Sequence, residues 1–152
     1  MNAIQIKSEL LKKRLAFTDQ RIENARQAMS AAQEAANHES KSSAGDKYET
    51  GRAMAQIERD KAAQQLSEAL ALKNSLDKIT LNPPSGKVLL GSLVKTDGPH
   101  FFIAISAGKV RVGDTDFFVV APASPVGRAL IGLQVGDPFT FNNQLLTITE
   151  IL

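Results

Sequence analysis

Ser40-Lys41-Ser42-Ser43-Ala44-Gly45, followed at once by Asp46-Lys47-Tyr48-Glu49, is the stretch that decides the fold. On both sides of it the chain is rich in Ala, Gln, Glu, Lys and Leu, which are strong helix formers, and contains no proline as far as residue 82. Upstream, Leu15, Ile22, Met29 and Ala36 recur every seven residues. A second row, Ile4, Leu11, Ala25 and Ala32, runs alongside with Thr18 as its polar member. This is the seam of a coiled coil in which large residues give way to alanine toward the break. Downstream, Ala55, Ala62, Leu66, Ala69 and Leu76 form the answering stripe, with Met54, Ile57 and Leu70 beside it. A connection this short makes the two helices antiparallel. At about 1.5 Å per residue the hairpin reaches roughly 50 Å.

Asp46 and Glu49 then stand three residues apart in the first turn of the second helix, between Gly45 and Gly51. Capping and the helix dipole favour acids there, which is a sufficient structural reason for the pair. The hairpin end offers little apolar surface to pack on, however, and an acidic pair so placed is also fit to enter another molecule's site.

The 152 residues contain no cysteine, which excludes disulfides, thiolate metal sites and a cysteine nucleophile and suits a reducing cytoplasm. No stretch resembles a signal peptide or membrane span, so a cytoplasmic protein without membrane association is expected. The net charge of +2 is too small to argue for duplex binding. Residues 1–82 carry thirteen Lys and Arg against eleven Asp and Glu, and residues 83–152 carry five of each. Lys7, Lys12, Lys13, Arg14, Arg21 and Arg26 therefore make the first helix locally basic, which reads either as a solvated face or as a surface toward RNA or an acidic channel.

All six prolines and six of the seven phenylalanines follow residue 82. That break places a domain boundary at Asn82-Pro83-Pro84-Ser85-Gly86, dividing the chain into 1–82, a hairpin with its acidic tip near 45–51, and 83–152. Short β-prone runs follow at Val88–Val94, Phe101–Ser106, Phe117–Ala121, Pro138–Phe141 and Leu145–Ile151. Asn142-Asn143 reads as a tight hairpin turn. Ser124 is the N-cap of one short helix through Ile131, with Pro125 in its first position and Gly132 at its end. The fold class is thus α+β, an antiparallel coiled-coil hairpin followed by a small antiparallel sheet with one short helix. In Phe101-Phe102 and Phe117-Phe118, alternation turns one member of each pair inward, as core.

Two motifs carry a family resemblance. Gly45-Asp46-Lys47-Tyr48-Glu49 follows a Gly-Asp-x-x-Glu pattern. The run from Ser124-Pro125-Val126-Gly127-Arg128 through Gly136-Asp137 follows Ser-Pro-x-Gly-Arg-Ala-Leu-Ile-Gly-x-x-x-Gly-Asp, with Gly91-Ser92-x-Val94 before it. In this order they resemble the GreA/GreB-type transcript cleavage factors over essentially the whole chain. The resemblance implies an FKBP-like C-terminal domain that docks on bacterial RNA polymerase, with Ser124, Pro125 and Arg128 as contacts. It implies a hairpin that reaches the polymerase catalytic centre through the secondary channel, where the nascent RNA 3′ end lies displaced after backtracking. Asp46 and Glu49 would then help hold a Mg²⁺ shared with the polymerase, stimulating its intrinsic RNA cleavage. The free protein would be no enzyme by itself and would bind no metal tightly, since two carboxylates do not complete a Mg²⁺ shell.

After Glu49 this chain reads Thr50-Gly51-Arg52-Ala53 where the family typically continues Asn-Ala-Glu-Tyr, so one acidic position is missing. A non-catalytic regulator or inhibitor of the same channel is therefore a second reading, and a coiled-coil adaptor or chaperone a third. Tyr48, against an extruded base or the alanine seam, and Arg52, against phosphate or Glu49, are candidate RNA or tip contacts. His38 and Glu39 lie near Asp46, but one histidine without cysteine argues against a transition-metal site. A hairpin that fills its own seam predicts a monomer.

Overall fold

Helix formers on both sides of the Ser40–Ala44 break produce two long helices, α1 over Ala3–Glu39 and α2 over Gly45–Asp77. The computed structural model describes residues 2–39, 45–81 and 86–152, without the side chains of 39 and 45–48. The break itself and the Asn82–Ser85 composition boundary lie outside the described residues. Asn2 opens α1 with a reciprocal pair of bonds: its Oδ1 accepts from the Gln5 N–H at 2.9 Å, and Gln5 Oε1 accepts from the Asn2 N–H at 2.9 Å. This capping box satisfies two donors at the helix start. By packing, the chain forms two compact units, Ala16–Asn74 and Met1–Leu15 with Ser75–Leu152.

In the first of these units the two helix segments are antiparallel. Lys73 Nζ meets Asp19 Oδ1 at 2.8 Å, while Gln33 and Ala36 share a groove with Ala55 and Gln56. The predicted seam is buried at Thr18, Ile22, Ala25 and Ala32 on α1 and at Ala55, Ala62 and Ala69 on α2. Ile22 is the one large side chain among the fully buried apolar residues described there. Each alanine methyl withdrawn from water contributes only about 0.8 kcal/mol. Support on the solvent faces comes from i,i+4 pairs such as Gln20–Asn24 at 2.9 Å and Gln56–Asp60 at 2.9 Å, each adding a few tenths of a kcal/mol, roughly. Met54 and Ile57, expected beside the seam, are 62% and 64% exposed.

The other unit is built on a six-stranded sheet. Its strands are β1 Leu93–Thr96, β2 His100–Ile103, β3 Gly108–Val112, β4 Thr115–Val120, β5 Pro138–Phe141 and β6 Gln144–Ile151, in the order β3-β4-β2-β1-β6-β5. The pairing is antiparallel as expected, except that β2 and β4 run parallel. The reason lies in residues 104–107, which cross the end of β4: the Ala104 and Ala107 N–H groups donate to the carbonyls of Val120 and Val119 at 2.8 and 3.0 Å. β3 then runs on the outer edge, and a two-residue Gly113-Asp114 turn returns the chain as β4. Gly113 sits at φ +62°, as a tight hairpin turn needs. The sequence reading missed β3, whose Lys109 and Arg111 alternate with Val110 and Val112 in the manner of a charged edge strand.

The run expected from Val88 begins its strand only at Leu93. Gly91, at φ +90°, and a bond from the Leu89 N–H to Ser92 Oγ at 2.9 Å turn the chain first. Val88 instead pairs with the segment after the short helix, through Leu133 and Gly132 at 2.9 Å each. The Asn142-Asn143 turn is present, with φ of +51° and +63°. The short helix α3 spans Pro125–Leu130.

Both faces of the sheet are covered. One carries Val94, Phe101, Ile103, Phe139 and Ile148 with Leu130 of α3; the other carries Leu93, Phe102, Phe117 and Val119 with Leu10 of α1. For that reason Phe101 and Phe102 are both fully buried, where one of the two was expected to face inward. The first turns of α1 also leave the predicted seam: Ile4 is 49% exposed, and Lys7 and Leu10 are buried in its place. A straight helix drifts by about 20° per heptad, and here the sheet face selects which side is covered. Among the described residues, no helix is long and apolar enough to cross a membrane.

Candidate functional site

Asp46 and Glu49 both lie in the first turn of α2, where N–H groups without helical partners and the dipole favour negative charge. A spacing of three puts them on one face of the helix. Glu49 is exposed to solvent; the side chains of Asp46 and Tyr48 are outside the described residues. His38, in the last turn of α1, is exposed. Among the described residues no three carboxylate or imidazole groups converge on a point. What is described of this turn is an acidic helix start with the Glu49 carboxylate open to solvent.

Behind that turn the heptad on α2 has a second row that the sequence reading did not single out. Alongside Ala55, Ala62 and Ala69 run Arg52, Arg59, Leu66 and Lys73, also every seventh residue. These positions lie one turn from the seam, so long basic side chains can lay their stems over the alanines and keep their charges in water. Arg52 and Arg59 line a groove of about 220 Å³ together with Gln33, Ala36, Asn37, Ala55 and Gln56. Met29, Ser30 and Glu34 extend it past Arg59. The Gln33 amide donates to Asn37 Oδ1 at 3.1 Å, which fixes one wall. Arg52, a predicted contact, is thus joined by Arg59, whose signal was the seven-residue spacing. Two arginines therefore stand on this side of α2 with the amides of Gln33, Asn37 and Gln56 around them and the Glu34 carboxylate beside Arg59.

The Ser124 motif folds as its chemistry requires. Ser124 Oγ accepts from the Gly127 N–H at 3.1 Å, capping α3, and donates to the Ala121 carbonyl at 2.7 Å. Pro125 occupies the first helical turn, where no N–H is needed. Gly127 is required by contact: a Cβ there would overlap the Ala121 carbonyl oxygen. Arg128 Nε donates to the Ala123 carbonyl at 2.8 Å. Gly132 follows the helix at φ +85°, and Asp137 Oδ2 accepts from the Gln134 N–H at 2.8 Å to close the next turn. Of the three predicted docking residues, Pro125 and Arg128 are exposed, while the Ser124 hydroxyl is engaged inside the cap. Of the aromatic pairs, Phe117 lines a hollow of about 390 Å³ with Ile6, Val112 and Thr115, while Phe101 and Phe102 are fully buried. Phe101 packs within 5.1–5.8 Å, centroid to centroid, of Phe118, Phe139 and Phe141, as core.

No family model matches the chain, and no curated protein matches it in sequence. Among solved structures, that of the transcription factor Gfh1 aligns over 94% of this chain and 91% of its own at 20% identity, with a TM-score of 0.34.

Proposed function

We propose that this protein is a transcription elongation factor that acts on bacterial RNA polymerase through the secondary channel and promotes hydrolysis of backtracked RNA. The observation that carries the reading is the acid pair opening α2 where the two antiparallel helices meet, in a chain that also bears the Ser124–Asp137 motif. In this role Asp46 and Glu49 supply oxygen ligands beside those of the polymerase. A Mg²⁺ bound there would neutralise charge on the phosphodiester and lower the pKa of an attacking water. Arg52 and Arg59 hold the RNA backbone, and Tyr48 stacks on the displaced base. Pro125 and Arg128 present the outer surface of α3 to the polymerase.

A second reading, a non-catalytic regulator of the same channel, draws on one observation. The segment after Glu49 continues to Arg52 and the basic groove, with no further acid until Glu58. RNA cleavage in backtracked elongation complexes with Mg²⁺ separates the two, comparing wild type with Asp46→Ala plus Glu49→Ala. Shortened, re-extendable RNA with wild type alone supports the cleavage role. No stimulation by either protein, with polymerase binding kept by both, overturns it in favour of the regulator, and absence of polymerase binding overturns both.

A further inference from the structure

We propose that the groove of the helical unit selects a guanosine nucleotide, and that Glu34 makes the choice of base. Glu34 and Arg59 line one hollow of about 430 Å³ together with Met29 and Gln33. Among the described residues these two opposite charges form no ion pair; the acids in the pairs present are Asp19, Asp116 and Glu150. A carboxylate and a guanidinium that line one hollow without meeting leave room for a ligand between them. Such a ligand presents hydrogen-bond donors at one end and an anion at the other.

The walls narrow its chemistry. Gln33 Nε2 donates to Asn37 Oδ1 at 3.1 Å and Gln56 Nε2 to Asp60 Oδ1 at 2.9 Å, so both glutamines keep Oε1 as an acceptor. Glu34 and these amide oxygens therefore ask for donors. Guanine is the base with two adjacent donors on its Watson–Crick edge, N1–H and N2–H, which one carboxylate accepts in parallel. Adenine and cytosine set a ring-nitrogen lone pair beside their amino group, and uracil has a single N–H between two carbonyls, so each turns an acceptor toward the Glu34 charge. The half-buried Met29 supplies a polarisable thioether for contact with the ring. The phosphate goes to Arg59 and to Arg52, two turns nearer the start of α2 along the groove. The inference rests on the RNA contact proposed for these arginines and adds a choice of base to it.

The test is a calorimetric titration of the full-length protein, without polymerase, with the pentaribonucleotides UUUUG and UUUUA and with GMP and AMP. The guanosine member of each pair is expected to bind at least about tenfold more tightly than the adenosine member, and Glu34→Gln is expected to remove that preference. Arg59→Gln is expected to weaken both members alike. Both residues are exposed, so neither substitution disturbs the seam. Given the preference, tighter binding of UUUUG than of GMP identifies the occupant as RNA, and binding of GMP as tight as that of UUUUG identifies a free nucleotide. No saturable binding, or a preference unchanged by Glu34→Gln, overturns the site. Equal affinity for the two bases overturns it as well, and if Arg59→Gln still weakens both, the backbone contact stands while the choice of base falls. Cleavage is decided separately, in the backtracked complexes.

Discussion

The alanine seam of residues 16–74 and the phenylalanine core of the sheet unit bury apolar surface in opposite ways. In the helical unit the fully buried apolar side chains are Ile22 and five alanines, and the helices are held by their own hydrogen bonds, by i,i+4 pairs and by close approach. In the sheet unit, Phe101, Phe102 and Phe117 fill both faces, and Gly127 marks a place where backbone packs on backbone. A narrow seam leaves most of the helix surface open, so α2 can carry Glu49, Arg52 and Arg59 in solvent without cost to a core. A two-sided core leaves little surface free, and there the motif residues Ser124 and Gly127 are occupied with folding.

The sharpest way to break that contrast is Phe101→Ala. It removes the hub of the aromatic cluster and is expected to cost about 3–5 kcal/mol, read as lost amide protection across β1, β2 and β4 in hydrogen exchange. Protection retained in those strands would mean that the cluster is not the core of the unit. Next is Gly127→Ala, whose methyl must displace the Ala121 carbonyl; roughly 3 kcal/mol is expected from overpacking against backbone, measured by urea unfolding. An unchanged midpoint would remove the close approach as the reason for glycine there.

Ala62→Leu tests the other side of the comparison. Forced between closely approaching helices, it is expected to cost roughly 1–2 kcal/mol, seen as earlier loss of far-ultraviolet helical signal with β-strand protection unchanged. A stabilising effect would show that the seam is wider than alanine packing implies. The smallest effect concerns His100. Burial and, second, the charge of Lys95 hold its imidazole below the ordinary value of 6.5. The Thr96 N–H points to its Nδ1 at 3.4 Å. Because the folded pKa is the lower one, the contribution is complete above 6.5 and is lost as pH falls through the folded value. Thermal unfolding between about pH 7 and pH 5 should therefore decline more for wild type than for His100→Gln. Parallel curves would exclude His100 as the source.

Much of the candidate site was legible because its signals are local. The first-turn position of Asp46 and Glu49 follows from a break and a helix start only residues apart. Ser124 and Pro125 announce a capped helix by chemistry within four positions. Arg59 is equally legible, seven residues after Arg52 in the row beside Ala55 and Ala62, although a seam is marked by its apolar stripe and not by the charged row next to it. The exposure of Met54 and Ile57 was not legible, since a hydrophobic residue one turn off the seam looks like a seam residue until the partner helix is in place.

The helices, their antiparallel arrangement, the Asn142-Asn143 turn and the cap of α3 were thus determined by the sequence itself, through interactions spanning a few residues or one repeating period. The tertiary structure decided the rest. The parallel β2–β4 pair depends on where residues 104–107 cross. The burial of both Phe101 and Phe102 depends on α1 covering a face that the strand pattern leaves blank. Lys7, one of the basic residues of the first helix, is 2% exposed because the sheet unit covers it. Each of these outcomes is set by groups far apart in the chain, such as Leu10 and Phe102 in one cluster, and no local period encodes which distant surface will arrive.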